Sequence, residues 1–201
     1  MGTELLTPVA TLVLSVLSEG PNHPYEILAT LRKRGDDRLV RLNAGAVYHA
    51  VEKLGSGGYV RVVGVEQEGN RPARTTYAVT PAGAEALVRR VGELVADPTP
   101  EYPRFPVGLS MLDELDADEA ARLLHDRREA TAERARGLRA RVQDALGREV
   151  PRRYLLDALL DIEIADAQVR WLDTTVAELR SGALDWHDER RCPHRTTQET
   201  S

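Results

Sequence analysis

The chain has 201 residues, 42% of them hydrophobic, and a formal net charge of −5. This length supports one large core or two small ones, and the acidic balance argues against binding polyanions through bulk charge. A single cysteine, Cys192, excludes an internal disulfide framework and a cysteine-built metal site; with no basic cluster and long apolar run at the start, a cytoplasmic protein without signal peptide or membrane span is expected.

Thr7-Pro8 reads as an N-cap followed by proline at the first helical position. Val9, Leu12, Val13, Val16 and Leu17 then recur at helical spacing. Glu19 to Asn22 stops this helix. A second short one is expected from Pro24 to Lys33, with Tyr25, Leu28 and Leu31 on one face, ending before Gly35. Asn43 is placed to cap a third helix to about Leu54, with Val47, Val51 and Leu54 inward. Two valine- and threonine-rich runs, Tyr59 to Glu66 and Arg74 to Thr80, flank a turn-prone segment and predict a hairpin. Thr80-Pro81 opens a fourth helix to about Ala96, with Leu87, Val91, Leu94 and Val95 on its apolar side.

Four prolines between Asp97 and Pro106 mark a composition break. Beyond it, a long helix is expected from Asp116 or Asp118 to about Gly147, with Leu124, Ala135, Leu138, Val142 and Ala145 on one stripe. A second, opened by Pro151, runs to about Arg180. Leu155, Leu159, Ile162, Val169, Leu172, Val176 and Leu179 lie along it like a coiled-coil seam interrupted at Asp166. Polar composition from Ser181 predicts a frayed tail. The fold class is therefore mainly α: an N-terminal winged helix-turn-helix, built from three helices, a two-stranded wing and a fourth helix, followed by a long-helix domain. The boundaries are 1–97 for the winged helix, 98–107 for the Pro-rich linker, 108–180 for the helical dimerisation domain, and 181–201 for the tail.

The charge is unevenly spread. Residues 32 to 61 carry seven basic side chains against three acids, whereas the acidic excess lies beyond residue 97. A third helix packed on one side and exposed on the other fits a DNA major groove about 12 Å wide. Its outward residues include Ala44, Tyr48, His49, Glu52 and Lys53; Asn43 and the small pair Ala44-Gly45 allow close approach of the helix N-terminus to a phosphate. Arg71 and Arg74 flank the hairpin tip, where guanidinium groups can reach a phosphate or a narrow minor groove. Each residue also has an ordinary reading. Tyr48 can pack against Tyr25, Glu52 and Lys53 can be solvated helix surface, and the two arginines can be loop charges.

The boxes His23-Pro24-Tyr25-Glu26, Gly45-Ala46-Val47-Tyr48 and Arg74-Thr75-Thr76-Tyr77 stand in order within residues 8–90, and in them the chain resembles the PadR family of bacterial transcriptional regulators. The family's His-Gly-Tyr-Glu box stands here as His23-Pro24-Tyr25-Glu26, and its recognition segment as Gly45-Ala46-Val47-Tyr48 through Gly58-Tyr59-Val60. Its wing box is Arg74-Thr75-Thr76-Tyr77-Ala78-Val79-Thr80-Pro81-Ala82-Gly83. Pro24 replaces the usual glycine and His49 a common proline, and the second change puts base preference in question. The resemblance implies that Tyr25, Tyr48 and Arg74 touch DNA. It also implies that the long C-terminal helices form a homodimer and couple a small-molecule effector to DNA release, with Trp171 as a pocket-lining aromatic or an interface side chain.

The resulting expectation is a sequence-specific DNA-binding regulator, most simply a repressor, whose partners are double-stranded DNA, a second copy and a small-molecule effector. The dimer, held by Tyr154 to Arg180 and the first helix, presents Asn43 to Leu54 twice to an inverted repeat. No cofactor, metal or enzymatic activity is expected, because the five histidines are scattered and the closest set, His187, Cys192 and His194, lies in the polar tail. The competing reading is a winged-helix protein-interaction module that does not bind DNA, distinguishable by a weak dependence on salt.

Overall fold

In the computed structural model, which describes residues 6–66 and 74–186, the local capping signals become helix starts. The chain divides into two compact units, Met1–Pro100 and Glu101–Ser201.

In the first unit, α1 (Pro8–Ser18) begins where Thr7 Oγ1 accepts the Ala10 amide at 3.2 Å. Helix α2 (Pro24–Arg34) ends on Gly35, whose φ of 81° is the left-handed conformation that favours glycine. A 3-10 turn, Asp36–Arg38, follows. Helix α3 (Ala44–Ser56) is capped by Asn43, whose Oδ1 accepts the Ala46 amide at 2.8 Å. Strands β1 (Val60–Glu66) and β2 (Arg74–Val79) pair antiparallel, Val60 opposite Val79 and Glu66 opposite Arg74, with an irregularity between Val62 and Gly64. Helix α4 (Pro81–Ala96) starts from a Thr80 cap.

Helix α1 is the centre of this unit, packing on α2, α3, α4 and β2. Val13, Leu14 and Leu17 of α1 meet Ile27 and Leu31 of α2 and Val47, Val51 and Leu54 of α3 in a fully buried cluster. Glu19 and Arg34 join the ends of α1 and α2 through two hydrogen bonds of 2.7 and 2.6 Å. Two expectations about apolar faces are corrected. The buried arc of α2 centres on Ile27 and Leu31, on the side opposite Tyr25, so Tyr25 is 66% exposed. Helix α4 enters the core through Gly83, Ala86 and Leu87, while Val91, Leu94 and Val95 remain exposed.

In the second unit, α5 (Arg104–Leu109) takes up the end of the proline-rich stretch, and Phe105 and Leu109 pack on the helices that follow. After a 3-10 turn at Leu112–Glu114 come α6 (Ala117–Gly147), capped by Asp116, and α7 (Leu156–Ser181). Asp116 is the N-cap because its Oδ1 accepts the Glu119 amide at 2.8 Å. Pro151 does not open α7; a 3-10 turn, Arg152–Tyr154, intervenes, and the helix begins five residues later than its proline suggests.

Helices α6 and α7 run antiparallel. Ala120, Ala121 and Leu124 at the start of α6 cluster with Leu172, Val176 and Leu179 at the end of α7, and Leu138 and Val142 cluster with Ala158 and Ile162. Ion pairs Arg128–Asp173 and Arg139–Asp166 cross between the helices. The tail expected from Ser181 begins no earlier than residue 187, and residues 187–201 lie outside the described residues. Ser181 closes α7, Gly182 follows with φ 73°, and the Trp186 indole N–H donates to the Leu115 carbonyl at 2.9 Å. Among the described residues, no helix is long and apolar enough to cross a membrane.

Candidate nucleic-acid interface

Helices α2 and α3 form a helix-turn-helix with α3 as its second member. Its inward side is filled by Val47, Ala50, Val51 and Leu54, whereas Asn43, Ala44, Gly45, Tyr48, His49, Glu52 and Lys53 are exposed. A 3.6-residue repeat separates these two sets cleanly, so the exposed set forms one continuous side of the helix. The side chain of Asn43 serves the cap, which turns the start of α3 outward with the amides of Ala44 and Gly45 at its tip.

Tyr25 and Tyr48 both point to solvent, Tyr48 at 49% exposure, and the ring that Tyr48 meets is His23 rather than Tyr25. The two rings are edge-on, with centroids 6.3 Å apart and planes at 80°. His23 also caps α2, because its Nδ1 accepts the Tyr25 amide at 3.1 Å. Nδ1 can accept only while unprotonated. Burial, and then the nearby Arg74 charge, hold the imidazole below the usual histidine range, partly opposed by Glu26.

Arg74 is the first residue of β2, and its Nη2 donates to Glu26 Oε1 on the third position of α2. The same strand is tied to the segment entering α2 by a backbone bridge: the Asn22 amide donates to the Tyr77 carbonyl and the Tyr77 amide to the Asn22 carbonyl, each at 2.9 Å. The wing base is thus fixed to the helix-turn-helix at backbone and side-chain level. Arg71, expected at the wing tip, lies outside the described residues.

The basic stretch is partly spent inside the fold, since Arg34 is paired with Glu19 and Arg38 donates to the Gly35 carbonyl. Arg32, Lys33, Arg41, Lys53 and Arg61 are exposed and form no ion pair among the described residues. Sequence reading singled out Tyr25, Tyr48 and Arg74 but missed what positions them. His23 was recognisable as a residue immediately before a helix-opening proline. Glu26 gave no local signal for a partner 48 positions away.

Much of the expected dimer seam packs within the chain itself. Ile162, Leu172, Val176 and Leu179 are buried against α6 of the same chain, Leu172 at 0% exposure, and Leu155 and Leu159 pack on the Leu138–Val142 cluster. Val169 is half-buried on the same helix. Four of the seven are thus used within the chain, while Leu155, Leu159 and Val169 stay half-buried. Trp171 meets Phe105 edge-on at 6.4 Å, and the Arg127 guanidinium lies 3.5 Å over the Phe105 ring. Among the described residues, no three metal-binding side chains come together; His187, Cys192 and His194 lie outside them.

Residues 13–89 match the Transcriptional regulator PadR-like family. Similar solved structures include Bacillus subtilis PadR in complex with operator DNA, at 18% identity and a TM-score of 0.72, covering 86% of this chain and 99% of that one. The same protein in complex with p-coumaric acid is 17% identical, with a TM-score of 0.67 and 86% and 98% covered. The Vibrio cholerae virulence activator AphA is 20% identical, with a TM-score of 0.63 and 87% and 99% covered. No curated protein matches the chain in sequence. These structures show the fold that the chain shares with them, and the match to the PadR-like family of transcriptional regulators covers residues 13–89.

Proposed function

We propose that the protein is a sequence-specific DNA-binding repressor that grips an inverted-repeat operator as a homodimer and is released by a small-molecule effector. The observation that carries the DNA reading is the outward side of α3. Asn43, Ala44, Gly45, Tyr48, His49 and Lys53 are left free by the packing of the core, next to the Arg74 edge of the wing. An exposed recognition helix with small residues at its N-terminus suits base edges and phosphates, and Arg71, outside the described residues, is assigned to DNA contact on its charge alone. Two copies of α3 about 34 Å apart would read successive major-groove faces. The structural neighbour in complex with operator DNA supports this reading.

With the seam of α7 used inside the chain, the second copy is assigned to the outward stripe of the same helix. Leu156, Leu160 and Ile164 stand there at four-residue steps, all more than half exposed. The effector is assigned to the Phe105–Trp171–Arg127 group. Arg127 Nε is buried with no acceptor among the described residues, and burial and Arg134 both lower the guanidinium's proton affinity, so an anion is the complementary ligand. Beside two aromatic rings, an aromatic carboxylate fits that chemistry, and p-coumaric acid, found bound to Bacillus subtilis PadR, is the probe of choice.

Footprinting on the DNA upstream of the protein's own gene tests the whole reading. The expected result is a two-fold symmetric protected region overlapping the promoter, lost when p-coumaric acid is added, with transcription in vitro falling as protein is added. Binding that is insensitive to salt and sequence overturns sequence-specific DNA recognition. A rise in transcription overturns repression, and a monomer in sedimentation at micromolar concentration overturns the homodimer.

A further inference from the structure

We infer that Glu26 is a positioning residue for DNA contact: it clamps one edge of the Arg74 guanidinium and leaves the other edge turned to a phosphate beside the wing. This inference rests on the DNA-binding reading above. The pair joins α2 to β2 across 48 residues of sequence, with both side chains half exposed. Only Arg74 Nη2 is taken by Glu26; Nε and Nη1 make no hydrogen bond among the described residues. A guanidinium has five N–H donors in a planar fork, so one can serve the carboxylate while the rest meet a phosphate.

Stability does not account for this arrangement. An ion pair this exposed contributes little to folding, and the Asn22–Tyr77 backbone bridge already ties the strand to α2. What the pair does is restrict a long side chain before DNA arrives. The backbone bridge fixes the strand, the His23 cap fixes the start of α2, and Glu26 therefore holds Arg74 from a fixed place. Side-chain freedom removed in advance does not have to be removed on binding. Charge favours bridging over exchange. Were Arg74 to leave Glu26 for a phosphate, an unpaired carboxylate would remain beside a polyanion, whereas a guanidinium held between the two attracts both and keeps them apart.

The test is a double-mutant cycle on the full-length protein by fluorescence anisotropy. It uses a duplex carrying the region upstream of the protein's own gene and a second duplex of unrelated sequence. Glu26→Ala is expected to weaken binding to the first roughly five-fold, and Glu26→Ala with Arg74→Ala to bind no more weakly than Arg74→Ala by itself. Glu26→Gln should recover most of the loss, because its carbonyl oxygen accepts the same hydrogen bond. A merely structural role for Glu26 would give losses that multiply with those of Arg74→Ala. That result overturns the inference, as do unchanged or tighter binding by Glu26→Ala and failure of Glu26→Gln to rescue. Failure of the parent protein to bind either duplex overturns the DNA reading and this inference with it.

Discussion

Gly83 packs closely against the Tyr59 carbonyl just before β1, and replacing it with alanine should destabilise the N-terminal unit. A Cβ built there falls inside the van der Waals envelope of the Tyr59 carbonyl oxygen, 2.9 Å from Tyr59 C and 3.0 Å from Val79 Cγ2. The obstacle is backbone, so relief requires the start of α4 to move away from β1. That start is held by the Thr80 amide donating to the Tyr59 carbonyl at 2.9 Å and the Thr80 hydroxyl donating to the Gly58 carbonyl at 2.7 Å. The same hydroxyl accepts the Gly83 amide at 3.1 Å. Overpacking costs about 1–3 kcal/mol and a disturbed N-cap about 1 kcal/mol, while alanine returns up to about 1 kcal/mol of helix propensity. The net loss is about 2 kcal/mol, or roughly 8–16 °C in the unfolding midpoint of a domain of this size. Gly92→Ala is the matched control in the same helix: nothing lies within 4 Å of its added methyl, so the propensity gain stands by itself. Thermal unfolding followed by circular dichroism compares the two variants. If Gly83→Ala melts at or above the parent, the close approach does not constrain this position and the reasoning fails.

The His23 cap makes the stability of the first unit pH-dependent. Because the folded imidazole binds its proton less readily than the unfolded one, stability is complete above the unfolded value of about 6.5 and declines as pH falls through the folded value. Denaturant midpoints measured from neutral to mildly acid pH should show this decline. His23→Asn, which caps without titrating, should flatten that part of the profile, and an unchanged profile would exclude His23 as its source. Asn43→Ala should cost about 1 kcal/mol of stability by leaving the Ala46 amide uncapped, and Asn43→Ser should restore most of it in the same assay. In the second unit, Leu172→Ala should lose about 2–5 kcal/mol because Leu172 is fully buried against α6. Leu160→Ala, at a 60% exposed position, should change stability of the isolated chain by no more than about 0.5 kcal/mol. Equal losses for the two leucines in denaturant melts would contradict the in-chain seam.

The helix starts were legible because capping is local. Thr7-Pro8, Asn43 and Thr80-Pro81 each place a side-chain acceptor within three residues of the amide it serves, so a short window of sequence contains both partners. The buried faces were less legible. Tyr25 has the right spacing to join Leu28, but the arc that meets α1 and α3 is set by Ile27, and spacing within α2 does not say where its neighbours stand. The same holds for α4, whose contact is made by Gly83, Ala86 and the partly buried Leu87 at its N-terminal half, while its valines stay in solvent. At the candidate DNA face, the exposed side of α3 followed from periodicity. The Glu26–Arg74 pair did not, because nothing near either residue anticipates a partner on a distant element.

The seam of α7 shows most clearly what a repeat can and cannot say. Leucine and valine at three- and four-residue steps require a partner helix, but the pattern is the same whether that helix lies in the same chain or another. The deciding features are elsewhere. Glu149 turns the chain with φ 59°, and α6 then supplies a complementary stripe running the opposite way. Asp166, which interrupts the apolar repeat, is paired with Arg139 from that helix, and the pair favours one alignment of the two. Around it the buried residues are small: Thr131 and Ala135 on α6 and Ala165 on α7. An interruption that weakens a seam energetically can still specify its register, because sliding α7 by one turn would remove Asp166 from Arg139 and Asp173 from Arg128 together. The charged residue that breaks the apolar repeat therefore marks the helix pairing within a single chain, and the outward leucines of α7 are the surface it leaves for the proposed second copy.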